Sequence, residues 1–476
     1  MKQSILFTIV ILLILSISII GGSGCANIIP PEGGPRDTLP PRLVRATPGD
    51  STLNFRGNRI ELAFDEFIDL ENAQQNILFT PTFTTSPQID VRLRTMTVRL
   101  RDTLEPNTTY TINFGDALKD INEGNVLPDF TYTFSTGSYF DTLSFRGNVV
   151  LAESGKVDTT LIAVLYRNPD DSAVVNAPPR YITRVDNDGN FRFNNLPAGT
   201  FRVYAFGDGA SGGALSYRRF NSRQYFAFAD SPIVVRTNTP PVTLYAYKSD
   251  TAASRQSATS SETPANGRGN GGSDRRLRFS TNLDNNEQDL LKNFVLTFEQ
   301  PLRLYDSNRL RLTRDSSFTA VNYSTRLDSA RKQLTLQTQW TPSTNYHLII
   351  DRDFAEDTLG RRLLKSDTLS FMTRELTDYA RLRIRLRGAD TSLNPVLQLL
   401  QNGTVVHSAP ISSGQMSIEQ FTPGEYDVQV LLDRNKNGKW DPGQFFGTKR
   451  QPEIVRPISR RITVRGGANN DFEVSL

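Results

Sequence analysis

The chain of 476 residues has one cysteine, Cys25, two histidines, His347 and His407, and two tryptophans, Trp340 and Trp440. A single cysteine forms no disulfide within the chain, so each domain must be held by its apolar core and its backbone hydrogen bonds. Two histidines in separate segments give no basis for a histidine metal cluster. A glycine-rich phosphate loop of the Gly-x-x-x-x-Gly-Lys type is missing. Past Ile20 no apolar run is long enough to cross a bilayer as a helix. The net charge is only +4, and no helix-turn-helix, RNA-binding or zinc-finger pattern is present, which argues against nucleic acid as a partner. These absences leave no residue to nominate as catalytic, and the expectation is a protein that is not an enzyme.

What is present begins with Met1-Lys2, a short positive start, then an apolar stretch over residues 5–20 and the small residues Gly21-Gly22-Ser23-Gly24 before Cys25. About 16 residues falls short of the ~20 that a spanning helix needs, and a lone cysteine closing such a stretch is a poor fit to an incidental thiol. The pattern resembles the bacterial lipoprotein signal, with Gly22 where a larger aliphatic residue is usual. That resemblance implies a signal peptide over residues 1–24, acylation of the Cys25 sulfur, and attachment to the membrane through that lipid. The expected localisation is the cell envelope, lipid-anchored, at the outer membrane, since Ala26-Asn27-Ile28-Ile29 lacks the aspartate of an inner-membrane retention signal. Residues 25–39, with their Pro and Gly, read as a tether.

The remainder is too long for one core and, at about 100–150 residues per domain, predicts three or four domains. Phe, Tyr, Val, Ile, Leu and Thr recur in short alternating runs with Gly, Pro, Asn and Asp between them, the pattern of an all-β chain. Two kinds of unit each occur twice. Residues 40–137 contain Ile60-Glu61-Leu62-Ala63-Phe64, then Pro106-Asn107-Thr108-Thr109-Tyr110, and close on Phe130-Thr131-Tyr132-Thr133-Phe134. Residues 276–374 keep these parts in order as Phe294-Val295-Leu296-Thr297-Phe298, Pro342-Ser343-Thr344-Asn345-Tyr346 and Leu369-Ser370-Phe371-Met372-Thr373, with Asp357-Thr358-Leu359 matching Asp120-Ile121-Asn122. In the Pro-x-x-x-Tyr element, proline fixes a corner and the tyrosine hydroxyl is expected to satisfy backbone groups there. With Phe64-Asp65-Glu66, these features resemble the bacterial Ig-like domain of the SbsA type, a β-sandwich of exported and surface-layer proteins.

Residues 141–248 and 379–476 share a second signature. Leu196-Pro197-Ala198-Gly199-Thr200-Phe201-Arg202-Val203 corresponds to Phe421-Thr422-Pro423-Gly424-Glu425-Tyr426-Asp427-Val428, and each reads as a hairpin around a Pro/Gly turn. The signature resembles the prealbumin-like (carboxypeptidase regulatory-like) β-sandwich, which decorates secreted bacterial proteins and implies no catalysis. Residues 249–275, rich in Ser, Thr, Ala, Gly and Asn, read as a flexible linker between the two pairs. The expected fold class is therefore all-β, a tandem array of Ig-like and prealbumin-like β-sandwiches after a lipoprotein signal.

The sharpest local motif is Asp433-x-Asn435-x-Asn437-Gly438-Lys439-x-Asp441. Oxygens at alternate positions with a glycine in the turn suit a hard cation such as Ca2+: Asp433, Asn435, Asn437 and Asp441 by side chain, Lys439 by its carbonyl. Gln444 stands where an EF-hand carries its bidentate glutamate, so a Ca2+ site here would be weak. The competing reading is an Asx-rich turn closed by its own hydrogen bonds. The matching loop in the second unit keeps only Asp208 and is not expected to bind metal. Asp65, Glu66 and Asp69 form an acidic cluster, read as a structural strand end because no second catalytic element accompanies it. Asp186-Asn187-Asp188-Gly189 reads as a hairpin turn.

Arginines alternate with other residues at Arg92, Arg94, Arg99 and Arg101, at Arg309 and Arg311, and at Arg381, Arg383, Arg385 and Arg387, which places each set on one strand face. Two readings stand: a solvated face that guards a sheet edge, or a surface for anionic glycans or lipid head groups. Asp followed by Ser or Thr and then a small or aliphatic residue also recurs, similar to the O-glycosylation acceptor pattern of exported Bacteroidota proteins. That resemblance makes Thr38, Thr103, Thr142, Thr251, Thr358 and Thr368 candidate acceptors, against a reading in which Asp-Thr opens strands after turns. The function expected is a membrane-anchored, non-catalytic envelope scaffold for structure, adhesion or interaction, with envelope proteins or glycans as partners. The alternatives are a glycan-binding accessory lipoprotein, which would use aromatics such as Trp440, and a hydrolase of glycans or peptides, which would need a carboxylate pair in one cleft.

Overall fold

The computed structural model describes residues 36–207, 220, 223–248, 276–411 and 413–476. The signal peptide, Cys25, most of the tether, the Asp208 loop, the linker at 249–275 and Thr251 lie outside the described residues. Within them the chain is a tandem array of β-sandwiches, and its α-helices are two four-residue turns, Ala73–Asn76 and Ala173–Asn176. Four separate apolar clusters form, drawn from residues 55–134, 145–246, 277–371 and 380–474.

The first compact unit runs to Asp141. In strand Arg59–Phe64, the alternation buries Ile60, Leu62 and Phe64 and turns Arg59, Glu61 and Ala63 outward. This strand lies between Leu43–Thr47 and Thr95–Arg99, and Gln88–Arg92 forms the edge; all pairings are antiparallel. The facing sheet has the order Leu78–Thr80, Thr109–Asn113, Thr131–Ser135, and Ile68–Leu70 pairs separately with Leu118–Asp120. Tyr110 stacks on Phe83 and Phe134 with ring centroids at 5.4 and 5.2 Å.

The second compact unit, from Thr142 onward, holds the other three cores. Residues 276–374 reproduce the strand orders of the first unit. Phe279–Thr281, Phe294–Phe298, Gln333–Gln337 and Ser324–Leu327 form one sheet. Leu310–Arg314, Asn345–Ile350 and Asp367–Thr373 lie side by side in the other, and Leu302–Tyr305 pairs with Ala355–Asp357.

The corner expected from Pro-x-x-x-Tyr recurs bond for bond. Tyr110 accepts the Glu105 N–H at 2.9 Å, and Tyr346 accepts the Thr341 N–H at 3.1 Å. A threonine on the closing strand completes each corner: Thr136 accepts from Thr108 N and donates to Glu105 O, while Thr373 accepts from Thr344 N and donates to Thr341 O. Each tyrosine hydroxyl thus covers a backbone donor that burial would otherwise leave unmet. Tyr110→Phe and Tyr346→Phe should each lower stability by about 1 kcal/mol, measured by urea unfolding, whereas no loss in either would remove the corner's role.

Residues 142–248 and 379–476 also share one topology. Leu143–Leu151 pairs antiparallel with Asn190–Leu196 and parallel with Val242–Ala246. Ala380–Arg387 likewise pairs antiparallel with Gln415–Phe421 and parallel with Asn469–Ser475. The opposite sheets are built on Leu161–Tyr166 beside Gly199–Gly207, and on Pro395–Gln401 beside Gly424–Leu432. This corrects the hairpin expectation at both Pro/Gly turns. Asn190–Leu196 and Gly199–Gly207 belong to different sheets, as do Gln415–Phe421 and Gly424–Leu432, so each turn carries the chain across the core. The four residues at 186–189 also form a sheet-crossing turn, closed by Asp186 Oδ1 accepting from Asp188 N and Asn190 N. Gly189 has φ +84°, and a Cβ there would lie 2.7 Å from Val149 O.

Side chains lock these modules to one another. At the junction of the third and fourth, the Tyr379 hydroxyl donates to Asp289 Oδ1 and accepts from Leu290 N, both at 2.7 Å. The second and fourth modules also meet. Phe445, buried at 6% exposure, packs against Tyr204, Phe226 and Phe228 at 5.5, 5.1 and 5.0 Å. Gln451 donates to Phe228 O, Lys449 pairs with Asp171 at 2.5 Å, and Val455 N donates to Ala152 O. A Cβ on Gly443 would sit 2.6 Å from the Tyr247 ring, so the loop backbone lies flat on that aromatic. These contacts form a clasp between the second and fourth modules.

Candidate functional site

The loop that carries Phe445 is the one singled out by its Asp and Asn spacing. It leaves strand Gly424–Leu432 and returns as Ile454–Val464. Asp433, 2% exposed, accepts Asn437 N on Oδ1 and Gly438 N on Oδ2. Asn435 and Asn437 each use Oδ1 on a backbone N–H, from Asn437 and Lys439, and each turn Nδ2 to Asp441 Oδ2 at 2.6 and 2.7 Å. The side-chain amides are thereby oriented on both ends. Among the described residues no group of three or more His, Cys, Asp or Glu is placed to hold a metal ion.

Glu453, which the spacing does not single out, ties the loop from its far side. Its Oε1 accepts Arg434 N, its Oε2 accepts Asp441 N, and its backbone carbonyl accepts Trp440 Nε1. Burial, with Asp433 nearby, pushes the Glu453 carboxyl above its ordinary value, and the backbone N–H groups offset part of that rise. The residues fit a loop closed by its own Asx bonds better than a cation cage. Its melting temperature is expected to be the same in calcium and in chelator. A real site with a Kd near 0.1 mM would instead add about 2.7 kcal/mol at 10 mM calcium, and such a rise would assign the loop to the cation.

Trp440 packs against Val396, Leu431 and Val455, and Trp340 is 9% exposed with Nε1 donating to Lys292 O. Trp340 is buried, and Trp440 is partly buried with its Nε1 donating to Glu453 O. In the acidic cluster, Asp65 Oδ1 accepts Arg42 N, and burial together with Asp37, Asp65, Asp120 and Glu123 raises the Glu66 carboxyl. Asp120 accepts Glu123, Gly124 and Asn125 N–H groups, which places it in turn closure. His347 Nδ1 lies 2.9 Å from Ser370 Oγ, and His407 packs edge-on to Phe421 in another module.

Five of the ten arginines in these rows are ion-paired among the described residues, four of them across strands. Arg381 pairs with Glu419, Arg383 with Asp471, Arg387 with Glu473, Arg309 with Asp306 and Asp351, and Arg99 with Asp90. Arg92 and Arg94 make no ion pair within the described residues, and Arg94 lies over the Phe67 ring at 5.1 Å. The five described candidate threonines, Thr38, Thr103, Thr142, Thr358 and Thr368, are all exposed. The aspartates before them serve turns, as where Asp37 Oδ1 accepts Leu39 N and Asp357 Oδ1 accepts Leu359 N.

Residues 37–136 match the family model of the bacterial Ig-like domain. No curated protein matches the chain. Among solved structures, the Bacillus anthracis TIE protein shares 12% identity over 94% of this chain and 76% of its own, with a TM-score of 0.17. The S-layer protein SbsC shares 15% over 90% of this chain and 41% of its own, TM-score 0.16. Alpha-2-macroglobulin from Escherichia coli, in its domains MG0-NIE-MG1, shares 12% over 38% of this chain and 70% of that one, TM-score 0.20. At such scores none of these likenesses bears on what the chain does.

Proposed function

We propose that the chain is a lipid-anchored envelope scaffold, held to the outer membrane through Cys25, whose β-sandwiches serve as a rigid, non-catalytic spacer and interaction platform. The observation that carries this reading is the joining of the second, third and fourth modules by the Phe445 clasp and the Tyr379 lock, which makes a stiff block of what a linker would leave loose. The bacterial Ig-like match over residues 37–136 supports a sandwich array of this kind. Three of the candidate acids support it too, because Asp65 holds the Arg42 N–H and Asp433 and Asp441 close their own turn.

The test is fractionation of cells with mass analysis of the mature N-terminal peptide. The expected peptide begins at an acylated Cys25, and Cys25→Ala should release the protein from the membrane fraction. An unmodified N-terminal peptide together with a Cys25→Ala variant that stays on the membrane would sink the anchor. The exposed threonines after Asp are proposed glycan acceptors, and the intact mass of the same sample should exceed peptide plus lipid. A mass equal to peptide plus lipid would remove that part of the reading.

A further inference from the structure

On the outer face of the first module's four-stranded sheet lies a shallow trough of about 640 Å³. Thr95 and Thr97 of the central strand line it, Arg59, Arg92 and Arg94 flank it, and Phe67 and Leu93 stand at one end. Register explains the grouping. Thr97 lies opposite Glu61 and Asp90, and Thr95 opposite Ala63 and Arg92, so short side chains run down the middle while long cationic ones rise at the side. Of the three arginines that line the trough, Arg59 is held by Glu61, while Arg92 and Arg94 have no carboxylate partner within the described residues.

We propose that this trough binds an acidic oligosaccharide, a saccharide carrying carboxylate, sulfate or phosphate groups. Guanidinium forks at Arg92 and Arg94 offer planar, two-pronged donors for such oxyanions. The Thr95 hydroxyl, half-buried in the floor, and the Glu61 carboxylate, which also holds Arg59, offer hydroxyl-binding partners that a polyol can use. Thr95–Arg99, which floors the trough, is hydrogen-bonded to a neighbouring strand on each side, so its own backbone is not available to a ligand. The size falls within the ~300–1,000 Å³ of small-ligand sites. Acylation of Cys25 plays no part in the argument, so this site and the proposed anchor succeed or fail separately.

Isothermal titration of the purified mature chain with a heparin octasaccharide and with oligogalacturonate, against neutral maltooctaose, tests the assignment. Both acidic probes should bind, more weakly at high salt, and maltooctaose should not. Arg92→Gln with Arg94→Gln should weaken binding at least about tenfold, the loss of one or two charge-assisted contacts. Arg92→Gln alone, at an exposed position without an ion pair, should weaken it in the same direction with an unchanged melting temperature. Arg383→Gln with Arg387→Gln, on the fourth module, should leave it unchanged. Wild-type affinity in Arg92→Gln with Arg94→Gln, an equal loss from the fourth-module pair, or failure of both acidic probes to bind would overturn the proposal. So would binding to phosphatidylglycerol vesicles without binding to either acidic oligosaccharide.

Discussion

Phe445→Ala should lower the stability of the second and fourth modules by about 3–5 kcal/mol, the usual cost of deleting a buried phenylalanine. The ring is 6% exposed and lies within 5.5 Å of the Tyr204, Phe226 and Phe228 rings, so its removal opens a cavity in the clasp itself. Lys449–Asp171, the ion pair at the same contact, is part-exposed on both sides and adds at most about 1 kcal/mol. The aromatic plug therefore dominates. Calorimetry should show the two modules melting together in the wild type and apart in the variant. Phe446, 45% exposed, packs on Phe445 and on Phe220 at 4.9 and 5.5 Å, so Phe446→Ala should act in the same direction with a smaller loss. A loss below about 1 kcal/mol in Phe445→Ala would mean that the clasp contributes little.

The second large effect is expected at Asp357, fully buried in the third module. Burial pushes its carboxyl up, but the N–H groups of Arg361 and Leu359 and the Arg361 guanidinium at 2.7 Å together hold it below its ordinary value of 3.8. Asp357→Asn keeps the shape and removes the charge, leaving Arg361 without its partner and costing about 3–5 kcal/mol near neutral pH. The sign of the pH dependence follows from the lowered folded value. This stabilisation is present above the unfolded value of 3.8 and is lost as pH falls from there through the folded one. The gap between wild type and variant should be wide at pH 7 and should narrow below about pH 4. A gap that stayed constant across that range would assign the effect to shape rather than charge.

Local signals carried the sequence reading a long way, and non-local ones defeated it. Tyr110 and Tyr346 are legible because the proline and the tyrosine of each corner lie within a few residues, and both hydroxyls land on backbone N–H groups there, whereas Thr136 and Thr373 reach the corners from the far end of each module. Asp433, Asn435, Asn437 and Asp441 are likewise legible as one loop. Glu453 is not, because a bridge between Gln444 and Arg450 brings it under the loop from the far side. The Pro/Gly turns at Pro197 and Pro423 misled for a physical reason. An alternating strand shows which face is buried but not which neighbour it bonds, and both flanking strands bury a face in the same core. The arginine rows hid their partners in the same way, since Asp471 and Glu473 reach Arg383 and Arg387 from the last strand of the chain. Phe445 reads as one more aromatic in a turn until the second module is placed against it.

The most direct test of a rigid scaffold is to cut the chain between the second and third modules. A protease recognition sequence placed within residues 249–275 leaves every described contact intact, and cleavage followed by gel filtration asks whether the two halves stay together. The clasp predicts that the fragment ending near residue 248 co-elutes with the fragment beginning near 276, and that Phe445→Ala with Lys449→Glu separates them. Free fragments from the cleaved wild-type chain would contradict the account.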